Sequence, residues 1–285
     1  MWDSVKSKVK NVTKTTKAAA ASTKAAAAVA TPAAAAAATS FGATLEQALR
    51  GRVEALIDTS RPEGPAFLAA TGGTEIAKAL GLGPLEKLCK PLIVPAALTI
   101  ALRDGRLSAA DTALLSATGA AYTTGDVILM LGGGHASRSK GRLIAGAAAF
   151  GVGHLALGSL MLRSGLRFKP LQSAVHGVVA GGVGMMLVSE DSGNAPLAGY
   201  AGLLAALSAL ATSVDRSNGP AATVLAVAGP SFLLSDALIL ARRKAEGGSI
   251  TARALDVAVI DTYALAALLM ITGTAAAARF AGSGS

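Results

Sequence analysis

The sequence predicts an all-α integral membrane protein: a bundle of about eight transmembrane helices behind a disordered, Lys/Ala-rich N-terminal tail. Three observations lead there. The 285 residues are 52% hydrophobic and only 15% charged, whereas an ordinary soluble domain is about a quarter charged. From about residue 64 onward the apolar residues come in blocks of about 17–25, the length of a helix that crosses a bilayer core. Much of that apolar content is Ala and Gly, with 33 glycines, and small residues let membrane helices approach closely.

The elements follow in order. Residues 1–40 form a low-complexity basic tail in which Lys, Thr and Ala recur. Alanine buries too little surface to define a core, so a disordered or partly helical segment is expected. A signal-peptide reading is disfavoured because the Ala run is weakly hydrophobic and broken by Pro32. Residues 41–62 are an amphipathic helix and linker: Leu45, Leu49, Val53 and Leu56 fall at helical intervals before "RPEGP" ends the pattern. The transmembrane domain is 63–280. Its spans are expected near 65–81, 91–103, 109–132, 142–162, 171–189, 195–213, 220–241 and 253–274. The first carries Glu75 and Lys78 and the second is short, so seven is the rival count. Between the spans lie short stretches rich in Gly, Pro or charge, including "GGGHASRSKGR" with His135.

The net charge is +9, and nine of the 26 basic residues precede residue 62. No nucleic-acid-binding pattern accompanies that charge, so nucleic acid is not an expected partner. Membrane lipids are, since lysines near a bilayer attract anionic headgroups. Outside the tail, Lys and Arg divide almost evenly between the two sides. With the tail counted, the balance places the N-terminus in the cytoplasm of a protein of the cell membrane. A single cysteine, Cys89, rules out an intrachain disulfide and a cysteine metal cage. Neither a G-x-S-x-G elbow nor an H-E-x-x-H pair is present. No metal or cofactor is called for.

The informative residues are polar groups inside apolar stretches. Asp126 lies in "AYTTGDVILM" and Asp236 in "FLLSDALIL". Both fall one to two turns before the end of an odd-numbered span, which puts each about 8 Å from the same face. Lys90 opens the second span on that face. His154 and Tyr263, with Asp261 close by, lie in spans that start from it. Carboxylates at such depth are costly and normally face a cavity or one another. The alternative is that Asp126 and Asp236 merely bridge to Lys90 or Arg242. His176 is expected to be a satisfied core histidine, and Asp256 a helix cap. A faint parallel echo relates "GDVILML" to "SDALILA" at an offset of 110 residues.

Five stretches, taken together, resemble the YhhN family: "CKPLIVPAALTIAL", "GDVILML", "AAAFGVGHLAL", "GPSFLLSDALIL" and "DTYALAALL". The family pattern of Lys-Pro, Gly-Asp, Phe-x-x-x-His, Ser-Asp and Tyr is met by Lys90-Pro91, Gly125-Asp126, Phe150 with His154, Ser235-Asp236 and Tyr263. The resemblance covers about 65–275. It departs at Leu157 and Ala267, where the family often has Tyr and Gln. The resemblance implies eight helices and a hydrolase that cleaves the vinyl-ether bond of lysoplasmalogen, releasing a fatty aldehyde. On that reading Asp126 and Asp236 are catalytic. His154, Tyr263 and Ser235 support them, and Lys90 holds the substrate phosphate. The rivals are a proton-coupled transporter, whose expected mark is an inverted repeat, and a non-catalytic membrane protein of the same fold.

Overall fold

The structure, a computed structural model, describes residues 32–103, 105–131 and 140–283. The tail expected at 1–40 therefore lies outside the described residues as far as residue 31, as does His135. The described residues are helical, with no strand among them. In chain order they form α1 (Pro32–Ile57), α2 (Glu63–Leu80), α3 (Gly83–Cys89), a 3₁₀ turn (Lys90–Leu92), α4 (Ile93–Arg103), α5 (Ala109–Met130) and α6 (Lys140–Arg163). Then follow α7 (Pro170–Glu190), α8 (Ala195–Thr212), α9 (Leu225–Lys244) and α10 (Ile250–Gly282).

The first helix starts at Pro32, earlier than the amphipathic segment expected from residue 41. Alanine has the highest helix propensity of any residue type, and proline is tolerated in a first turn, so the helix extends into the alanine run. Its expected apolar face does pack: Leu49 is buried in the core, with Phe41, Leu45 and Leu56 against it. Arg216 donates to Ser40 Oγ at 2.6 Å, tying the segment to the far end of the chain.

Among the described residues five helices, not the expected eight, are long and apolar enough to span a membrane: Lys140–Arg163, Pro170–Glu190, Ser192–Thr212, Pro220–Lys244 and Ile250–Gly282. The other three fall short for separate reasons. Helix α2 carries Glu63, Glu75 and Lys78. The expected second span is interrupted at Lys90-Pro91, where proline removes a backbone donor, and leaves α4 with only 11 residues. Helix α5 has the length, at 22 residues, but its threonines and two aspartates dilute its hydropathy. It nevertheless runs antiparallel along the whole of α6, with Tyr122 beside Gly153, Gly125 beside Phe150 and Leu129 beside Gly146.

The last helix is the spine. From Tyr263 to Ala278 it is buried on nearly every side, packed among α2, α4, α6 and α9. Helix α7 is its opposite. Only His176 and Leu187 are buried, and its packing is almost wholly against α8. Between α8 and α9 the backbones nearly touch: a Cβ on Gly229 would lie 2.6 Å from Ser208 Oγ and 2.9 Å from its Cα. That closeness lets α9 present its Asp236 end to α8.

Gly229→Ala is therefore expected to lower the melting temperature in detergent by several degrees, since backbone must move to admit the methyl group. Gly199→Ala is the control. It meets no atom within 4 Å and should be neutral or slightly stabilising, as alanine is the better helix former.

Candidate active site

Seven helical segments converge on one cavity, six of them with polar or aromatic side chains. Helices α5, α6, α8, α9 and α10 and the turn at Lys90 bring Asp126, Phe150, Tyr200, Asp236, Tyr263 and Lys90 to the wall of a cavity of about 180 Å³. Apart from Ser235, its remaining lining is apolar, with Val179, Val183 and Leu187 from α7 and Leu143 and Ala147 from α6. Typical ligand pockets measure about 300–1,000 Å³. This one is smaller.

Asp126 is 2% exposed. Gly125 makes its position possible, because a Cβ there would lie 2.6 Å from the Phe150 ring. Without a side chain at 125, that ring packs directly on the α5 backbone beside the carboxyl. Tyr263 donates its hydroxyl proton to Asp126 Oδ2 at 2.5 Å. Lys90 Nζ lies 3.3 Å from the other oxygen, Oδ1. The carboxylate thus has a cation on one oxygen and a neutral donor on the other, as a buried charge requires.

Asp236 stands differently. No Lys or Arg among the described residues forms an ion pair with it, and it shares the cavity wall with Tyr200. Arg242, the cation nearest in sequence, goes instead to Asp256, with Nε 2.9 Å from Oδ1. Asp256 is thus an ion-pair partner and not the expected cap, a place that Ser249 takes by accepting from the Ala252 N–H.

His154 is 1% exposed and lies behind the cavity wall. Its Nδ1 is 2.7 Å from the Tyr122 hydroxyl and its Nε2 is 3.3 Å from the Tyr200 hydroxyl. It stacks on Tyr200, with ring centroids 5.5 Å apart and planes at 22°. Phe150 and Phe232 pack edge-on among the tyrosines, a favourable geometry for aromatic rings. Ser235 reaches the cavity wall, but its hydroxyl donates to the Val259 carbonyl at 3.3 Å and so joins α9 to α10.

The structure thus brings Lys90, Asp126, Ser235, Asp236 and Tyr263 into one cavity, with His154 directly behind it. Asp261, expected alongside them, is exposed and does not line it. His176 is a satisfied core histidine: its Nδ1 sits 2.7 Å from the Gln172 carbonyl oxygen and its Nε2 2.9 Å from Ser208 Oγ. Sequence reasoning missed Tyr122 and Tyr200. A signal was there, because the chain has three tyrosines in all and every one belongs to this cluster. Tyr200 also lies just inside a span that starts from the face already singled out. Leu157 and Ala267, the two departures from the family pattern, are both fully buried outside the lining.

Fold and site together define a polytopic helical membrane protein with a pair of acidic side chains in an aromatic, largely apolar cavity. A model of the YhhN family matches residues 85–274, a stretch that holds every residue of the site, and the chain belongs to the YhhN family. The match begins after α2, later than the expected start near residue 65. No curated protein and no solved structure matches the chain.

The unequal partners predict unequal stability effects. Asp126→Asn strands the Lys90 ammonium in a poorly solvated place, and breaking such a pair costs about 3–5 kcal/mol. Adding Lys90→Met should restore much of the loss. Asp236→Asn, which leaves no cation behind, should melt close to wild type in detergent.

Proposed function

We propose that this protein is a membrane hydrolase that cleaves the vinyl-ether bond of lysoplasmalogen or a related ether lysolipid, releasing a fatty aldehyde. The observation that carries the reading is that two carboxyls with dissimilar partners share one apolar cavity. Vinyl-ether hydrolysis needs such a division of labour. One group must deliver a proton to carbon, and an anion must face the oxocarbenium ion that results. Family membership supports the same reading, and so does the shape of the cavity. A polar end suits the glyceryl ether, and an apolar side along α6 and α7 suits a hydrocarbon chain.

Asp126, paired with Lys90, is the ionised member. Its charge, already oriented by Lys90 and Tyr263, faces the developing cation without reorganisation, the main source of electrostatic catalysis. Asp236, with no cation beside it, is the proton carrier. It protonates the vinyl carbon remote from the ether oxygen, the π electrons form the new C–H bond, and an oxygen lone pair completes the oxocarbenium. Water then adds to the oxocarbenium carbon and returns a proton to Asp236, as a glycosidase acid becomes a base in its second step. The hemiacetal collapses to aldehyde and alcohol, with the hydroxyl proton passing to the leaving oxygen. An ammonium has three donors. With one directed at Asp126, Lys90 keeps others for the substrate phosphate. His154 and Ser235 hold the elements that carry the acids.

The test is aldehyde release by the purified protein incubated with lysoplasmalogen in detergent. Asp126→Asn and Asp236→Asn should each lower turnover per folded molecule by at least about 10²-fold, the lower range of general acid–base catalysis. Absence of aldehyde from the folded wild type would overturn the reading and favour proton-coupled transport or a non-catalytic role.

A further inference from the structure

The three tyrosines do not have equivalent surroundings, and the difference matters for Asp236. Tyr263 is committed to Asp126. Tyr122 is fully buried behind the wall and contacts His154. Tyr200 lines the cavity together with Asp236, and its hydroxyl oxygen lies 3.3 Å from His154 Nε2. A neutral imidazole has one donor nitrogen and one acceptor. Tyr122 has a hydroxyl proton to give and His154 as its hydrogen-bond partner among the described residues, so it donates to Nδ1. That leaves the proton on Nε2, which donates to the Tyr200 oxygen. The Tyr200 hydroxyl proton is then turned away from the imidazole and toward Asp236. The two bonds run one way, from Tyr122 through His154 to Tyr200, and leave the Tyr200 proton for the carboxyl that shares its cavity.

We propose that Tyr200 is a third catalytic residue of this cavity, donating a hydrogen bond to the Asp236 carboxylate as that carboxyl gives up its proton, with His154 as the residue that fixes the direction of its hydroxyl. The inference rests on the hydrolase reading and deepens it. The step is balanced. The proton passes from Asp236 to carbon, the O–H bond breaks as the C–H bond forms, and the carboxylate left behind accepts from Tyr200. Tyr200 keeps its own proton throughout. When water returns a proton to Asp236, that hydrogen bond weakens again. The interaction is therefore strongest while the oxocarbenium exists, and an interaction realised mainly at that stage raises kcat rather than substrate affinity. Stacking on His154 and the edge of Phe232 beside the imidazole hold the pair of rings in place between turnovers.

The experiment is a kinetic comparison on lysoplasmalogen, with aldehyde as the readout and melting in detergent as the folding control. Tyr200→Phe keeps the ring and its stacking, and should lower kcat about 10–100-fold, the range for a hydrogen bond to a charged group, with KM within about twofold. His154→Leu removes the Nε2 donor and should fall to a similar level. His154→Gln, which keeps an amide N–H, should recover part of the loss. The double variant Tyr200→Phe/His154→Leu should be little worse than Tyr200→Phe alone, since the histidine acts through the tyrosine. Wild-type activity with Tyr200→Phe within twofold of it would overturn the role of Tyr200. Fully additive losses, or equal losses in His154→Gln and His154→Leu, would overturn the link between the two residues. A wild type that releases no aldehyde sinks the hydrolase reading itself, and this inference with it.

Discussion

A carboxylate placed where water cannot solvate it must be matched by the protein, and the arrangement around Asp126 follows from that requirement. The match is made from three directions. Lys90 comes from a turn that Pro91 breaks out of the helix, Tyr263 comes from the central helix, and the Gly125–Phe150 contact closes the remaining side. Each partner is expensive on its own. A buried lysine, a buried phenol and a span cut short would each weaken a membrane bundle. Together they satisfy one another, so the turn at Lys90, the register of α5 on α6 and the rotation of α10 are set by one small group of atoms.

The contrast with Asp236 comes from what is missing rather than from what is added. Arg242 is close in sequence yet turns to Asp256, leaving the second acid with a phenol instead of a cation. Two chemically identical side chains in one cavity thereby meet different partners.

Much of this was legible in the sequence, and the parts that were not have identifiable causes. Helix boundaries from α5 onward fall within a few residues of the expected spans because short Gly-, Pro- or charge-rich connections punctuate them, except at the end of α10, which runs on to Gly282 through an alanine-rich stretch with no such break. Span parity correctly placed Asp126, Asp236 and Tyr263 at one end. The number of membrane-crossing helices was overcounted, because apolar block length alone cannot separate a span from a short core helix such as α4. Asp261 was misplaced because periodicity gives depth along a helix but not the side it faces. Tyr200 is not legible in the sequence because an uncharged tyrosine in an apolar run has the pattern of ordinary packing, and only the fold brings its hydroxyl to His154. Ser235 showed the opposite limit. Its neighbour Asp236 drew it into the reading, while its hydroxyl in fact joins two helices.

The scarcity of aromatic residues has a practical consequence. The chain has three tyrosines and one tryptophan, Trp2, near its start, and all three tyrosines belong to the cluster at the cavity. Once Trp2 is replaced by phenylalanine, the near-ultraviolet circular dichroism of the protein comes chiefly from those rings. The protein thus carries its own optical reporter, without an attached label. A lipid entering the cavity, a changed hydroxyl contact or a loosened helix would alter the same narrow band of the spectrum, while a disturbance elsewhere in the bundle would leave it nearly unchanged.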